Sequence, residues 1–271
     1  MKVLSKLFLV VCCAAAMAPV GWHAISSVKS PSEIALIPPT LLPREPTPVN
    51  YQELFRRRPV FRYYVNSLAI ATMSSVVCVF SASLIAYRLA RIRGRLRSVI
   101  RAALLAIAFF PPIIFLFPLF ELVRHAGLVN HPWGLILTYA ALNLPFAIWL
   151  LTGSFEQIPI ELEEAAAIDG LTGLQTYRMV ILPLAMPVVI SASILVFIFS
   201  WNEFMFALTF MNMESQKTLT LGVATLSGAF AYEIPWGQIA AGVIVSAAPL
   251  VILVILFQRR IVAGLTAGSV K

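Results

Sequence analysis

A catalytic centre in this chain would have to be assembled from three histidines, twelve acids and three cysteines. Hydrolysis at membrane depth needs paired acids, a serine with a histidine, or metal ligands. His23, His125 and His131 supply no such grouping, the last two flanking Gly127 and followed by Pro132. Ser74, Ser75, Ser81 and Ser83 share one apolar run with no such partner nearby in sequence, and helix–helix packing accounts for them. Cys12, Cys13 and Cys78 also lie in apolar runs, with neither metal-ligand nor disulfide spacing. The phosphate-cradling pattern GxxxxGK[ST] does not occur. The expectation is a chain with no catalytic residue, no metal and no cofactor of its own.

The polar residues that remain suggest mechanical work. The stretch ELEEAAAIDGLTGLQTYRMVILPLAMP, residues 161–187, holds four acids between two apolar runs. Pro159 to Ile168 are mostly strong helix formers, and Glu161, Glu163 and Glu164 sit where the helix dipole favours negative charge. Gly170 can take the left-handed conformation that ends a helix. Thr172 and Gln175 have capping-box spacing for a second short helix, which Pro183 is expected to stop or kink. On the first helix Ala165, Ile168 and Asp169 share a face bordered by Ala166; on the second, Leu174, Tyr177 and Arg178 do. Spacing alone fits two objects: a knob for another protein's groove, and a hairpin packing only on its own membrane helices.

A second polar set lies inside the apolar runs, where a central charge costs about 2.5–3.5 kcal/mol and usually marks function. Asn143 precedes Pro145 by two residues, placed to re-satisfy the backbone that proline frees or to line a path. Asn202 and Glu203 follow Trp201 near the far end of the fifth run. They read as path or gate residues, or as an interfacial pair with Trp201 as anchor. Pro111, Pro112, Pro145, Pro187 and Pro249 each remove a helix hydrogen bond within a run. Phe109, Phe110, Phe115, Phe117 and Phe120 are expected to pack on lipid or a neighbouring subunit.

The elements that carry these residues follow from composition. The chain is 60% hydrophobic and 12% charged, with a mean hydropathy of +0.89. A bilayer core needs roughly 20 apolar residues per helix, and six stretches free of Asp, Glu, Lys and Arg have about that length: 7–28, 66–87, 102–120, 134–154, 184–202 and 237–257. The fold class expected is an all-α membrane protein with six transmembrane helices. The first run resembles a signal peptide at its start, with Lys2, Lys6 and AAAMA, but its apolar character continues to Val28, so an uncleaved anchor is expected. The segment RLARIRGRLRSVIR, residues 88–101, has six arginines and no acid, which puts it, both termini, 155–183 and the tail 258–271 on the cytoplasmic side. The parts are then an anchor (1–28), a proline-rich, extended external connector (29–65), a permease core (66–257) containing the cytoplasmic loop, and the tail. The arginine cluster 56–62 reads as a headgroup-facing collar. The net charge of +8 speaks for a membrane surface and lipid, not nucleic acid.

Glu164, Ala165 and Ala166, then Gly170, then Val180, Ile181, Leu182 and Pro183 resemble the cytoplasmic loop motif of binding-protein-dependent ABC importers, with Val180 where isoleucine is usual. VNYQELF, NSLAIA, FIFSWNEFMFAL and FQRRIVAGLTAGSVK are similar to the smaller permease subunit of maltose- and trehalose-type carbohydrate importers. The resemblance implies the type I ABC importer permease fold in a prokaryotic cytoplasmic (inner) membrane, and import of a sugar by alternating access. It implies as partners a sister permease in a heterodimer, two ATP-binding subunits that bind ATP and Mg, and an external solute-binding protein. Glu164, Ala165, Ala166, Ile168, Asp169, Gly170, Leu174, Tyr177, Leu182 and Pro183 would then be the ATPase-coupling residues, and Asn143, Asn202 and Glu203 the translocation path or gate. The segment from Asn212 to Gly228 would meet the binding protein, and the tail the ATPases. The same superfamily also moves non-sugar solutes; a passive channel would not need the Glu-Ala-Ala loop, and an intramembrane enzyme would need the absent centre.

Overall fold

A computed structural model describes residues 2–226 and 234–266, with side chains described for 6–226 and 234–258. The regular elements among the described residues are all helical, as a chain that must satisfy its backbone inside lipid requires. Among the described residues five helical stretches are long and apolar enough to cross a membrane: Lys6–Ser27, Val60–Arg91, Pro132–Phe155, Gly173–Asn202 and Trp236–Gln258. They belong to α1 (Lys2–Ser27), α4 (Val60–Arg91), α7 (Pro132–Phe155), α10 (Leu182–Asn202) with the turns before it, and α13 (Trp236–Thr266).

The third expected span departs from a single rod. It is a pair of helices, Arg95–Ala108 and Pro112–His125, bent by 86°. The break falls at Phe109 to Pro112: neither Pro111 nor Pro112 has an N–H to donate, and each biases the residue before it away from helix. The pair comprises α5 (Arg95–Ala108), a 3₁₀ turn and α6 (Leu116–His125). The arginine-rich segment also differs from the loop expected. Helix runs through it except at Ile92 to Gly94, where Gly94 has φ +84°.

The chain divides into two compact units. One comprises Met1–Val65 with Lys217–Leu253. Here the connector is not extended. It contains α2 (Pro31–Ile34) and α3 (Val49–Arg57) and is tied back to the end of α1. The Asn50 amide donates to the carbonyls of Ser27 (3.0 Å) and Lys29 (2.7 Å), the Thr47 N–H bonds the Val28 carbonyl (2.8 Å), and the Lys29 ammonium bonds the Thr40 carbonyl and sits 4.9 Å from the Trp22 ring centroid. Asn50 leaves no room for a side chain at Gly237, and the Tyr63 ring leaves none at Gly222 of α12 (Leu219–Ala224). The segment from Asn212 is thus more structured than a polar loop, with Leu219, Leu221 and Val223 buried; its last two residues, Ser227 and Gly228, lie outside the described ones.

Glu33 closes the connector. Its carboxylate accepts from the Thr40 hydroxyl (2.6 Å) and the Arg44 N–H (3.1 Å). The Thr40 hydrogen bond, then the Arg44 N–H and the charges of Lys29 and Arg44, hold its pKa below the ordinary value of 4.5 against the desolvation of burial. A depressed carboxylate stabilises the fold above its ordinary pKa and ceases to as pH falls through the depressed one. Hydrogen exchange at the Arg44 amide, corrected for its intrinsic rate, should therefore stay slow down to about pH 4.5 and accelerate below it. Glu33→Gln should exchange faster at neutral pH and lose the acid step; an unchanged acid step in that variant would assign it to another group.

The other unit comprises Asn66–Gln216 with Val254–Lys271. Its centre is α7, which packs against α5 and α10. Small polar residues let the helices approach, as expected for the serines of the second span: the Ser75 hydroxyl donates to the Ser193 carbonyl (2.7 Å), and Ser83 bonds the Tyr177 hydroxyl (2.8 Å).

Candidate functional site

At the arginine-rich end of this second unit, α8 (Glu161–Ile168) and α9 (Gly173–Thr176) form the helix, turn and helix expected between them. The turn is a Schellman motif: the Leu171 N–H bonds the Ala166 carbonyl (3.0 Å), the Gly170 N–H bonds the Ala167 carbonyl (3.1 Å), and Gly170 has φ +82°. A methyl group at Gly170 would touch nothing within 4 Å, so the glycine is required by its backbone angle, not by space. Thr172 and Gln175 make the capping box in both directions.

Beyond α9 the structure corrects the expectation. Pro183 does not end the second helix. A π-helical turn, Tyr177–Ile181, joins α9 to α10, and Pro183 sits in the first turn of α10, where its missing N–H costs little. The Leu182 N–H reaches back five residues to the Tyr177 carbonyl.

The ten residues read from sequence as coupling residues divide by exposure. Glu164, Ala165, Ile168, Asp169, Gly170, Leu174 and Pro183 are exposed, Ile168 to 85% and Leu174 to 62%. Ala166 and Tyr177 are buried and Leu182 half-buried. Tyr177 therefore does not share an outer face with Leu174: its ring lies 5.3 Å from that of Tyr87, and its hydroxyl bonds Ser83. On α8 the inner face is Glu163 with Ala166, three residues apart, and the outer one Glu164, Ala165 and Ile168.

Glu163 is the residue that sequence reasoning passed over. Its Oε1 accepts from Arg91 Nε (2.6 Å) and its Oε2 from the Tyr87 hydroxyl (3.0 Å). The same guanidinium donates to the carbonyls of Phe155 (3.2 Å), at the end of α7, and Ile158 (3.3 Å). One arginine thus joins the ends of α4 and α7 to the start of α8. Nearby, Arg101 bonds Glu156 (3.0 Å) and Arg97 lies 3.6 Å from it. An arginine run followed some 60 residues later by a glutamate-rich loop was the available signal, but pattern alone does not say which charges meet.

Toward the opposite end, Asn143 and Glu203 line one cavity of about 890 Å³. Asn143 donates to the Tyr139 carbonyl (2.8 Å), not to the Ala141 carbonyl that Pro145 leaves free, so it lines the cavity without mending the proline break. Glu203 accepts from the Tyr139 hydroxyl (2.6 Å) and from the N–H groups of Phe206 (3.0 Å) and Ala207 (3.2 Å), capping α11 (Met205–Phe210). Asn202 is exposed, bonds the Ile198 carbonyl of its own helix and is not part of this wall. Trp201 is buried against Phe197 instead of serving as an interfacial anchor.

Residues 65–266 match the family model described as binding-protein-dependent transport system inner membrane component. This chain belongs to that family. The permease is 38% identical over 253 residues to the sulfoquinovosyl glycerol transport system permease protein of Agrobacterium fabrum, covering 93% of this chain and 88% of that protein. It is 40% identical over 259 residues to the trehalose transport system permease protein of Mycobacterium tuberculosis, covering 94% and 93%. Its fold matches the crystal structure of a bacterial ABC transporter involved in the import of the acidic polysaccharide alginate, with TM-score 0.81 and 22% identity over 95% of each chain. The permease is therefore a multi-pass component of the cytoplasmic membrane and a non-catalytic subunit of an ABC importer. Its family works with a second permease, ATPases and a binding protein.

Proposed function

We propose that this permease imports a sugar, an α-glucoside or oligosaccharide, by alternating access, driven by two ATP-binding subunits through the loop 155–183. Both termini, that loop and residues 88–101 face the cytoplasm on this reading. What supports one common side is that Arg91 pairs with Glu163 and Arg101 with Glu156; what supports its being cytoplasmic is the density of arginine. The sugar assignment rests on relatives named for trehalose, trehalose/maltose and diacetylchitobiose transport.

The observation that carries the coupling role is the outward set Glu164, Ala165, Ile168 and Leu174, exposed on a turn locked by Gly170 and pegged from beneath by Glu163. Ile168, 85% exposed and outside the apolar spans, offers a docking partner an apolar side chain to cover. Asn143 and Glu203, sharing one cavity, are proposed to line the path, with Asn202 at its rim. ATP and Mg belong to the partner subunits.

The test is affinity purification of the tagged permease from its native membrane, with Glu164→Lys alongside. An ATP-binding subunit and a second permease are expected with the wild type, and a loss of about ten-fold or more of the ATP-binding subunit in the variant, the effect of burying an unpaired charge. Recovery of the folded permease alone from both samples would overturn the reading.

A further inference from the structure

The cavity that holds Asn143 and Glu203 has features that a mere gap between helices does not require. It lies among α5, α7, α10 and α11, and its volume falls within the range of small-molecule sites, roughly 300–1,000 Å³. Tyr139, Asn143, Phe146 and Trp149 succeed one another along α7 at spacings of three and four, so one helix face presents all of them. Phe146 and Trp149 are half-buried and stacked, with ring centroids 6.4 Å apart and planes 28° from parallel, which makes a platform of two aromatic faces. Phe199 meets Phe146 edge-on from α10.

Beside the platform are polar groups with bonding capacity left over. Asn143 uses one amide hydrogen on the Tyr139 carbonyl; its carboxamide oxygen and second hydrogen have no partner in its own helix. Ser200 is 5% exposed, and its hydroxyl has no hydrogen-bond partner among the described residues. A buried hydroxyl in that condition is costly. As the side chain stands, that oxygen is closed off from the cavity, so the bonding capacity an occupant can reach is that of Asn143. Among the described residues the cavity lining contains one carboxylate, Glu203, and no Lys, Arg or His, so none of them balances an anionic occupant.

We propose that this cavity is a solute subsite within the permease itself, taking a neutral sugar ring whose C–H face packs on Phe146 and Trp149 while its hydroxyls bond Asn143 and Glu203. The proposal rests on the sugar-importer reading above and goes beyond it in two ways. It gives this subunit direct contact with the solute, and it excludes acidic sugars. Sugars suit such a site because one face of the ring is apolar and its rim is a circle of donors and acceptors, so stacking and hydrogen bonding act at once.

The experiment uses the purified complex of the permease with its co-purifying subunits, in nanodiscs and without the binding protein. Radiolabelled trehalose and maltose are the neutral probes and maltobionate the acidic one, and uptake of the same sugars is measured in cells carrying the whole importer. The expected result is saturable binding of a neutral probe and none of maltobionate. Trp149→Ala and Asn143→Leu should weaken the binding by about ten-fold. Phe117→Ala, in a side chain 76% exposed and outside the cavity, should leave it unchanged. Equal affinity in wild type, Trp149→Ala and Asn143→Leu would overturn the subsite and leave the importer reading intact, as would uptake of a sugar that the wild-type complex does not bind. Tight maltobionate binding would overturn the neutral specificity. Neither uptake nor binding of any sugar would end both readings together.

Discussion

A Gly170→Val permease is expected to reach the membrane and assemble, yet to lose most of its uptake. The cause is local. Gly170 holds φ +82° to close the Schellman turn, and open space surrounds it, so the only penalty a side chain meets is in the backbone. For an ordinary residue that penalty is about 1–2 kcal/mol, largest for β-branched side chains, and each such step moves a two-state population by about 5- to 30-fold. The turn would give way before the membrane helices do, so α8 would lose its angle to α9. The informative comparison is a series. Asn tolerates the left-handed region, Ala does so at a cost, and Val does so worst. Uptake should fall in the order Gly, Asn, Ala, Val, with Val lower than wild type by about ten-fold. Because nothing lies within 4 Å of the added methyl group, side-chain size does not confound the series within the chain. Uptake that followed side-chain volume instead, with Asn as damaging as Val, would show that Gly170 is needed for close approach by a partner.

Arg91 carries the second large effect. Removing it strips Glu163 of its cation and leaves the carbonyls of Phe155 and Ile158 without that donor. The side chains of Arg91 and Glu163 are 20% and 17% exposed, so solvent offsets part of the loss; about 1–3 kcal/mol remains a reasonable scale for Arg91→Ala. Expected are a lower melting temperature of the complex, uptake reduced by about ten-fold or more, and ATP hydrolysis that no longer responds to the loaded binding protein. Geometry makes the pair asymmetric. Glu163→Ala removes one anchor from α8 alone and should be milder, and the exchange Arg91→Glu with Glu163→Arg should not rescue, because the two carbonyls would then face a carboxylate. Rescue by the exchange would reduce the contact to a simple ion pair.

How much was legible in the sequence depended on the range of the interaction. The Gly170 turn and the Thr172–Gln175 capping box were read correctly because their hydrogen bonds close within five residues. Spans 66–87, 134–154 and 237–257 were visible because the bilayer sets a length that composition alone can meet. The 86° break at Pro111 and Pro112 was missed as a break because prolines are tolerated in membrane helices, and Pro145, Pro187 and Pro249 do stay within theirs. Pro183 was misjudged for the converse reason. The chain widens into a π turn just before it, and no local pattern marks that choice. Glu163 was hidden among three similar glutamates, of which only the contact with Arg91, far along the chain, selects one. The cavity escaped because Asn143, Trp149 and Ser200 converge only once α7 and α10 have packed.

The arginines at the end of α4 and the start of α5 have a further meaning when the order of synthesis is considered. Arg91 precedes Glu163 by 72 residues and Arg101 precedes Glu156 by 55. At about 5–20 residues per second, the glutamates emerge roughly 3–14 s after the arginines. During that interval, in the orientation proposed above, the guanidinium groups are free for the phosphates of the inner leaflet. The same side chains would thus serve twice: first as ballast that sets the orientation of the nascent chain, then, once α7 has been threaded and α8 follows, as the clasp that fastens it. Lipid would be their first ligand and Glu163 and Glu156 their last.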